Sequence, residues 1–108
     1  MEPNKRNIRK WVKALRSGKF RQGRGALVGK DDNRHTTYCC LGVACVVAGE
    51  KPKDLVGVGE LTERTMAWLG LSDGNPEIGE FNYAIWANDS DKRSFRQIAD
   101  LIEKRYLS

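Results

Sequence analysis

Apolar side chains recur at helical spacing near both ends of the chain. In residues 6–17 they stand three and four positions apart, as on one helix face: Ile8, Trp11, Val12 and Leu15. Ser17-Gly18 ends this pattern, because glycine readily takes the left-handed conformation that follows many helices. A capping box, Ser94-x-x-Gln97, opens a second stripe over residues 94–106. The members of that stripe are Phe95, Ile98, Leu101 and Ile102. One helix is therefore predicted at each end.

The middle of the chain predicts short strands mixed with short helices. Residues 19–37 read as two extended segments around the turn residues Asp31, Asp32 and Asn33, which predicts a hairpin. Residues 40–48 are almost wholly apolar and predict a central buried helix, although periodicity alone leaves a strand open there. A short helix is predicted over residues 62–69, and a strand or extended connection over residues 81–87.

These elements predict an α+β fold, with three or four short helices packed on a small antiparallel sheet or hairpin. The 108 residues suffice for one domain and are too few for two with separate cores, so a single domain is expected over residues 1–108. Hydrophobic residues make up 40% and charged residues 31%, a balance typical of folded globular proteins and unlike that of disordered chains.

The chain offers no segment suited to a membrane. No apolar stretch approaches the ~20 residues of a spanning helix, and the first residues lack the apolar core of a signal peptide. We therefore expect no membrane partner and a cytoplasmic location. The cysteines are consistent with the expected cytoplasmic location. Their number is odd and two are adjacent, which favours reduced thiols in the core: Cys39, Cys40 and Cys45.

Positive charge is concentrated in the first third of the chain. Residues 1–30 hold ten lysines and arginines against one glutamate, a net of +9, whereas the rest holds nine basic and thirteen acidic residues, a net of −4. Such asymmetry favours a directed electrostatic field and an anionic partner.

A set of candidate ligand-binding residues follows from this charge. Basic side chains beside Gly23 and Gly25 suit an anion, because glycine lets backbone amides approach phosphate oxygens. Asn88 and Asp89 are candidates for hydroxyl or base contacts, although turn and capping chemistry is the simpler account. A flexible hairpin with a solvated charge run is the alternative for the basic segment. The candidate set is Arg16, Lys19, Arg21, Gln22, Arg24, Tyr38, Asn88 and Asp89.

Catalytic and metal-binding constellations are weak. A strand would separate His35 from Cys39 by ~13 Å, and a thiol in an apolar run is inert. The one histidine and three cysteines could supply four zinc ligands. On a helix, however, the side chains of Cys40 and Cys45 point about 140° apart around the axis, which disfavours a zinc site. The sequence Gly57-Val58-Gly59 carries only part of a dinucleotide fingerprint. We expect no catalytic residues, no metal and no cofactor.

Several motifs resemble a family of small uncharacterised bacteriophage and prophage proteins. The most specific is the element Tyr-Cys-Cys-Leu-Gly-Val-x-Cys at residues 38–45. The segments at residues 11–20, 22–27, 68–71 and 88–103 are also similar. This chain departs from the pattern at Ala44 and Ala87, where leucine is usual, and in the spacing that follows Asn88-Asp89. The resemblance implies an accessory phage protein that acts in the host bacterial cytoplasm.

Three classes of function remain. The first is a non-catalytic accessory protein that binds an anionic host component, sequestering a nucleotide signal or blocking a host factor in counter-defence. The second is a nucleic-acid-binding module whose basic helix and hairpin lie along phosphates. The third is a small enzyme acting on nucleotides. We expect the non-catalytic accessory protein, with a nucleotide, a nucleic acid or an acidic host protein as its partner. The sequence does not decide whether the protein forms a homodimer.

Overall fold

Five α-helices and two antiparallel strand pairs form the part of the chain that the computed structural model describes, residues 2–79 and 82–108. The helices are α1 (Lys5–Arg16), α2 (Cys40–Val47), α3 (Glu63–Leu69), α4 (Ala84–Asp89) and α5 (Phe95–Ile102). The strands are β1 (Val28–Lys30), β2 (Thr36–Tyr38), β3 (Glu77–Gly79) and β4 (Asn82–Tyr83). A 3₁₀ turn (Pro52–Asp54) and a π-helical turn (Glu103–Leu107) complete the described elements. The predicted α+β class is confirmed.

Helix α1 forms as its apolar stripe predicts, with all four stripe residues buried. Its first turn is capped by Asn4, whose side chain accepts a hydrogen bond from the Asn7 amide at 3.1 Å. Gly18 follows the helix with a φ of +75°, the left-handed conformation expected there. The indole Nε1 of Trp11 donates to the carbonyl of Cys40 at 2.8 Å, so burying this ring leaves no unsatisfied donor. Helix α1 is thereby fixed against the start of α2.

Helix α2 confirms the central buried helix and excludes the strand that the apolar run left open. Its residues from Cys40 to Cys45 are all buried. Gly42 permits this depth, since a Cβ atom at that position would stand 1.9 Å from the carbonyl oxygen of Leu27. The glycine of the Cys-Cys-Leu-Gly-Val element is therefore required for close approach of α2 to the segment that leads into β1.

The predicted hairpin is formed by β1 and β2, which pair antiparallel with Val28 opposite Tyr38. Asp31 organises its turn, because Oδ1 accepts hydrogen bonds from the amides of Asn33 (2.9 Å) and His35 (2.8 Å). The edge of β2 that faces away from β1 bonds to the loop between α1 and β1. The Tyr38 amide donates to the carbonyl of Arg21, and the Gly23 amide donates to the carbonyl of Tyr38, both at 2.8 Å. Residues 21–23 thus lie beside β2.

The expectation of an extended segment over residues 81–87 is wrong from residue 84 onward. Only Asn82–Tyr83 pairs as a strand, residue 81 lies outside the described residues, and α4 occupies Ala84–Asp89. The short apolar run is compatible with both the strand period of about two residues and the helix period of about 3.6. Packing of α4 against α2 and α5 favours the helix, because it buries Ala84 and Ala87.

The last predicted helix is confirmed as α5. Both hydrogen bonds of its capping box are present, and its buried face consists of Phe95, Ile98, Ala99 and Ile102. It packs along α1 and continues into the π-helical turn. None of the helices in the described ranges combines the length and the apolar character needed to cross a bilayer.

Candidate anion-binding site

The eight candidate residues predicted from the sequence do not form one site. The structure separates them into an ion pair with the C-terminal region, a polar network around the buried side chain of Asn88, and an open groove. The ion pair contains Arg16. The network contains Gln22, Arg24, Asn88 and Asp89, and we call it the Asn88 network. The groove is lined by Lys19, Arg21 and Tyr38 together with Gly18, Phe20, His35 and Thr36, and we call it the Lys19 groove.

The Asn88 network surrounds a carboxamide that is 0% exposed. Its Nδ2 donates to the carbonyl of Gly23 and to Oδ1 of Asp89, each at 2.8 Å. Its Oδ1 accepts from Nε2 of Gln22 at 2.9 Å and from the backbone amide of Cys40 at 3.2 Å. Two donors and two acceptor positions are the full capacity of an asparagine side chain. Asn88 has none left for a ligand.

The bonds of Asn88 have a structural purpose. The residue before α2, Cys39, provides no side-chain cap, so the Asn88 oxygen serves the first amide of that helix in its place. Gln22 also donates to the carbonyl of Arg93 at 2.8 Å, and Nε of Arg24 donates to the carbonyl of Asn88 at 3.1 Å. These contacts join the 22–24 segment to α4. We therefore remove Gln22 and Asn88 from the candidate ligand set.

Arg16 is likewise engaged within the protein. Its guanidinium contacts Oδ1 of Asp100 at 2.6 Å and Oε2 of Glu103 at 2.9 Å. The hydrogen bond from Arg16 lowers the pKa of Glu103, and the same bonds from Glu103 and Asp100 raise the pKa of Arg16. The pair joins the end of α1 to the C-terminal helical turns. Arg16 is a tertiary contact, and it too leaves the candidate set.

The Lys19 groove, in contrast, opens to solvent and has a volume of about 530 Å³. Nη1 of Arg21 stands 3.8 Å from Oδ2 of Asp31, beyond hydrogen-bonding distance, and its side chain is 59% exposed. Nδ1 of His35 lies 3.4 Å from the same oxygen. No described carboxylate lies within 4.0 Å of the Lys19 nitrogen. Three basic groups therefore line one groove, and among the described residues only the carboxylate of Asp31 lies within 4.0 Å of any of them.

Asp31 is held in place by the hairpin turn. The hydrogen bond from the His35 amide lowers its pKa, as do the bond from Asn33 and the nearby charges of His35 and Arg21. An aromatic pair forms another part of the groove, with the rings of Phe20 and Tyr38 5.1 Å apart and 89° to one another.

Sequence reasoning missed Phe20, His35 and Thr36 as members of this groove. The strand period was one available signal, because Thr36 and Tyr38 share a face of β2. The pairing of residues 21–23 with β2, which brings Lys19 and Phe20 near His35, joins segments about fifteen residues apart and leaves no local pattern.

The groove adjoins a larger positive surface on α1. Five exposed basic side chains of this helix, together with Lys19 beyond its end, have no described carboxylate within 4.0 Å of their nitrogens. They are Lys5, Arg6, Arg9, Lys10, Lys13 and Lys19, and we call this set the basic face. Lys19 and Lys13 also border two further grooves, one with Arg9 and one with Lys10. The basic face and the Lys19 groove are thereby continuous at Lys19.

The three thiols lie in the core. Burial raises the pKa of Cys39 to about 11, and burial also raises the pKa of Cys40 and of Cys45. At neutral pH these groups are protonated and shielded, unlike an activated nucleophile. Within residues 2–79 and 82–108, no three His, Cys, Asp or Glu side chains converge as a metal site would require.

Comparison with known proteins identifies the family. A family model described as a domain of unknown function (DUF8296) matches residues 4–106. The chain belongs to the DUF8296 family. The DUF8296 match runs from the cap of α1 into the C-terminal turn, so it includes the whole of the basic face, the Lys19 groove and the Asn88 network. No curated protein and no solved structure matches the chain.

Proposed function

We propose that this protein is a non-catalytic binding protein that engages an anionic host component through the basic face and the Lys19 groove. The observation that carries the proposal is the clustering of six exposed basic side chains on α1 and at Lys19, none of which has a described carboxylate within 4.0 Å. In the phage setting that the sequence resemblance implies, binding in the host cytoplasm would sequester that component or block its function.

The charge pattern of α1 opposes folding of the isolated helix. Arg6 and Lys10 are four residues apart, as are Arg9 and Lys13, and like charges at this spacing destabilise a helix by about 0.2–0.5 kcal/mol per pair. The first turn contains Lys5 and no acidic residue, although the positive end of the helix dipole favours acids there. An anionic partner would relieve both effects, which supports binding as the reason for the pattern.

The arrangement favours contact along a surface over enclosure of a small ligand. Asn88, one of the two residues predicted to contact hydroxyls or bases, is bonded inside the protein, as is the candidate Gln22. The basic residues instead line adjoining open grooves that meet at Lys19. A row of cations suits a partner with several negative charges, because each neutralised phosphate releases a counterion.

Fluorescence anisotropy tests the proposal with three labelled probes: a 20-nucleotide single strand, a 20-base-pair duplex and polyglutamate. The variant pairs Lys10→Glu with Lys13→Glu, and the matched control pairs Lys51→Glu with Lys53→Glu, which changes the net charge equally outside the basic face. We expect the first variant to weaken nucleic-acid binding about 10-fold or more and to lower the salt slope by about 2.

The control variant should retain most of the affinity. Absence of binding to all three probes at 50 mM salt would contradict the proposal, as would equal losses in the two variants, since a general effect of net charge would then explain the binding.

A further inference from the structure

We propose that the Lys19 groove is a nucleoside phosphate site, in which the basic groups hold phosphate and the aromatic pair contacts the base. This inference rests on the proposed function and narrows the partner from any anion to one chemistry. A free nucleotide and one nucleotide of a single strand both supply that chemistry, and the experiment below distinguishes them.

The phosphate end of the groove is defined by Lys19, Arg21 and His35. Arg21 and His35 share one carboxylate oxygen of Asp31, at 3.8 and 3.4 Å, so neither makes the short contact of a closed ion pair. Asp31 cannot swing toward either one without losing its bonds to the turn amides. A phosphate that enters the groove therefore meets an arginine fork and a lysine that are still available.

The base end is defined by Phe20 and Tyr38. Both side chains are only half-buried and both line the groove, and their edge-to-face packing holds the two rings in a fixed orientation. Nucleobases stack on such rings without regard to sequence, and loss of one ring commonly weakens binding about 10-fold or more. A carboxylate-rich peptide would use the cations and leave the rings without a specific role.

The dimensions of the groove agree with this ligand. Its volume of about 530 Å³ lies within the roughly 300–1,000 Å³ of small-molecule sites. A duplex presents phosphates and keeps its bases stacked, so the aromatic pair would be reached only by an unpaired base. The basic face continues from Lys19 along α1, where further phosphates of a strand would find Lys13 and Arg9.

Isothermal titration calorimetry with four probes tests the assignment: ATP, the single strand dT12, an abasic strand of the same length and a 12-base-pair duplex. The variants are Lys19→Ala, Arg21→Ala and Tyr38→Leu, with Lys51→Ala as the matched control. We expect Lys19→Ala and Arg21→Ala each to weaken binding of ATP and dT12 about 10-fold. Tyr38→Leu should weaken dT12 about 10-fold and leave the abasic strand unchanged.

A measurement on the unaltered protein guards against misfolded variants. In ¹H–¹⁵N spectra, ATP and dT12 should shift the amides of residues 18–21 and 35–38 most strongly. Comparable affinities for ATP and dT12 support the site with a free nucleotide as its ligand. Tenfold tighter binding of dT12 supports the site with a strand as its ligand.

Two results would overturn the assignment while leaving the proposed function intact. One is equal binding of dT12, abasic strand and duplex with no effect of Tyr38→Leu. The other is a set of amide shifts confined to α1. If none of these four probes binds at 50 mM salt, the nucleoside phosphate site falls, and the proposed function falls with it only if polyglutamate also fails to bind.

Discussion

The Lys19 groove and the Asn88 network are built on the same short segment and treat their polar groups in opposite ways. In the network, a fully buried amide makes four hydrogen bonds of 2.8–3.2 Å. In the groove, Arg21 and His35 make only contacts of 3.4–3.8 Å to one carboxylate. Buried polar groups need hydrogen-bond partners within the protein. Exposed polar groups can bond to water and remain available to a ligand. The network therefore stabilises the fold, whereas the groove leaves its charged groups available to the proposed ligand.

The largest expected effect is a loss of stability when Asn88 is replaced by alanine, and it tests the contrast between the network and the groove. Replacing Asn88 by alanine leaves the Cys40 amide and the Gly23 carbonyl without this partner and removes one of the two bonds that Gln22 donates. We therefore expect a loss of about 3 kcal/mol in the free energy of unfolding. Urea denaturation measures it. Asp89→Ala, which removes one of the four bonds, is the matched control and should lose far less.

Binding should respond differently to the same change. Wherever Asn88→Ala is still folded, its affinity for the nucleic-acid probes should equal that of the parent protein. A stable Asn88→Ala variant with weakened binding would invert the comparison and return Asn88 to the ligand set.

A smaller loss of stability is expected for Gln22→Ala. This change removes two hydrogen bonds at a half-buried position, to Asn88 and to the carbonyl of Arg93, and should destabilise the protein by about 1.5 kcal/mol. In a double-mutant cycle with Asn88→Ala, the two losses should fall short of additive by about 1 kcal/mol. Strict additivity would show that the two side chains act separately.

The smallest effect concerns Arg16, whose ion pair lies at the surface. Arg16→Met should destabilise the protein less than either network change, because solvent screens exposed pairs. Since Arg16 lowers the pKa of Glu103 below its ordinary 4.5, the stabilisation is present above that pH and is lost as pH falls through the lowered value. Thermal unfolding at pH 7 and pH 3 checks this. An equal difference in melting temperature at both pH values would refute the ion-pair account.

Much of the fold follows from local pattern, and the candidate site follows only in part. The stripe of α1, the capping box of α5 and the turn at Asp31 all act within a few residues, and each is present as predicted. Helix α4 was missed because a seven-residue apolar run satisfies both the strand and the helix period. Its packing partners, α2 and α5, decide between them.

The sequence by itself determined the helices at both ends, the hairpin, the buried thiols and the concentration of positive charge in the first thirty residues. These depend on neighbours along the chain and on composition. Only the tertiary structure decided which charges remain available. Gln22 meets Asn88 across 66 residues and Arg16 meets Glu103 across 87, whereas Lys19 meets no described carboxylate. Whether a polar side chain is satisfied depends on what folding brings to it, and that contact has no local signature.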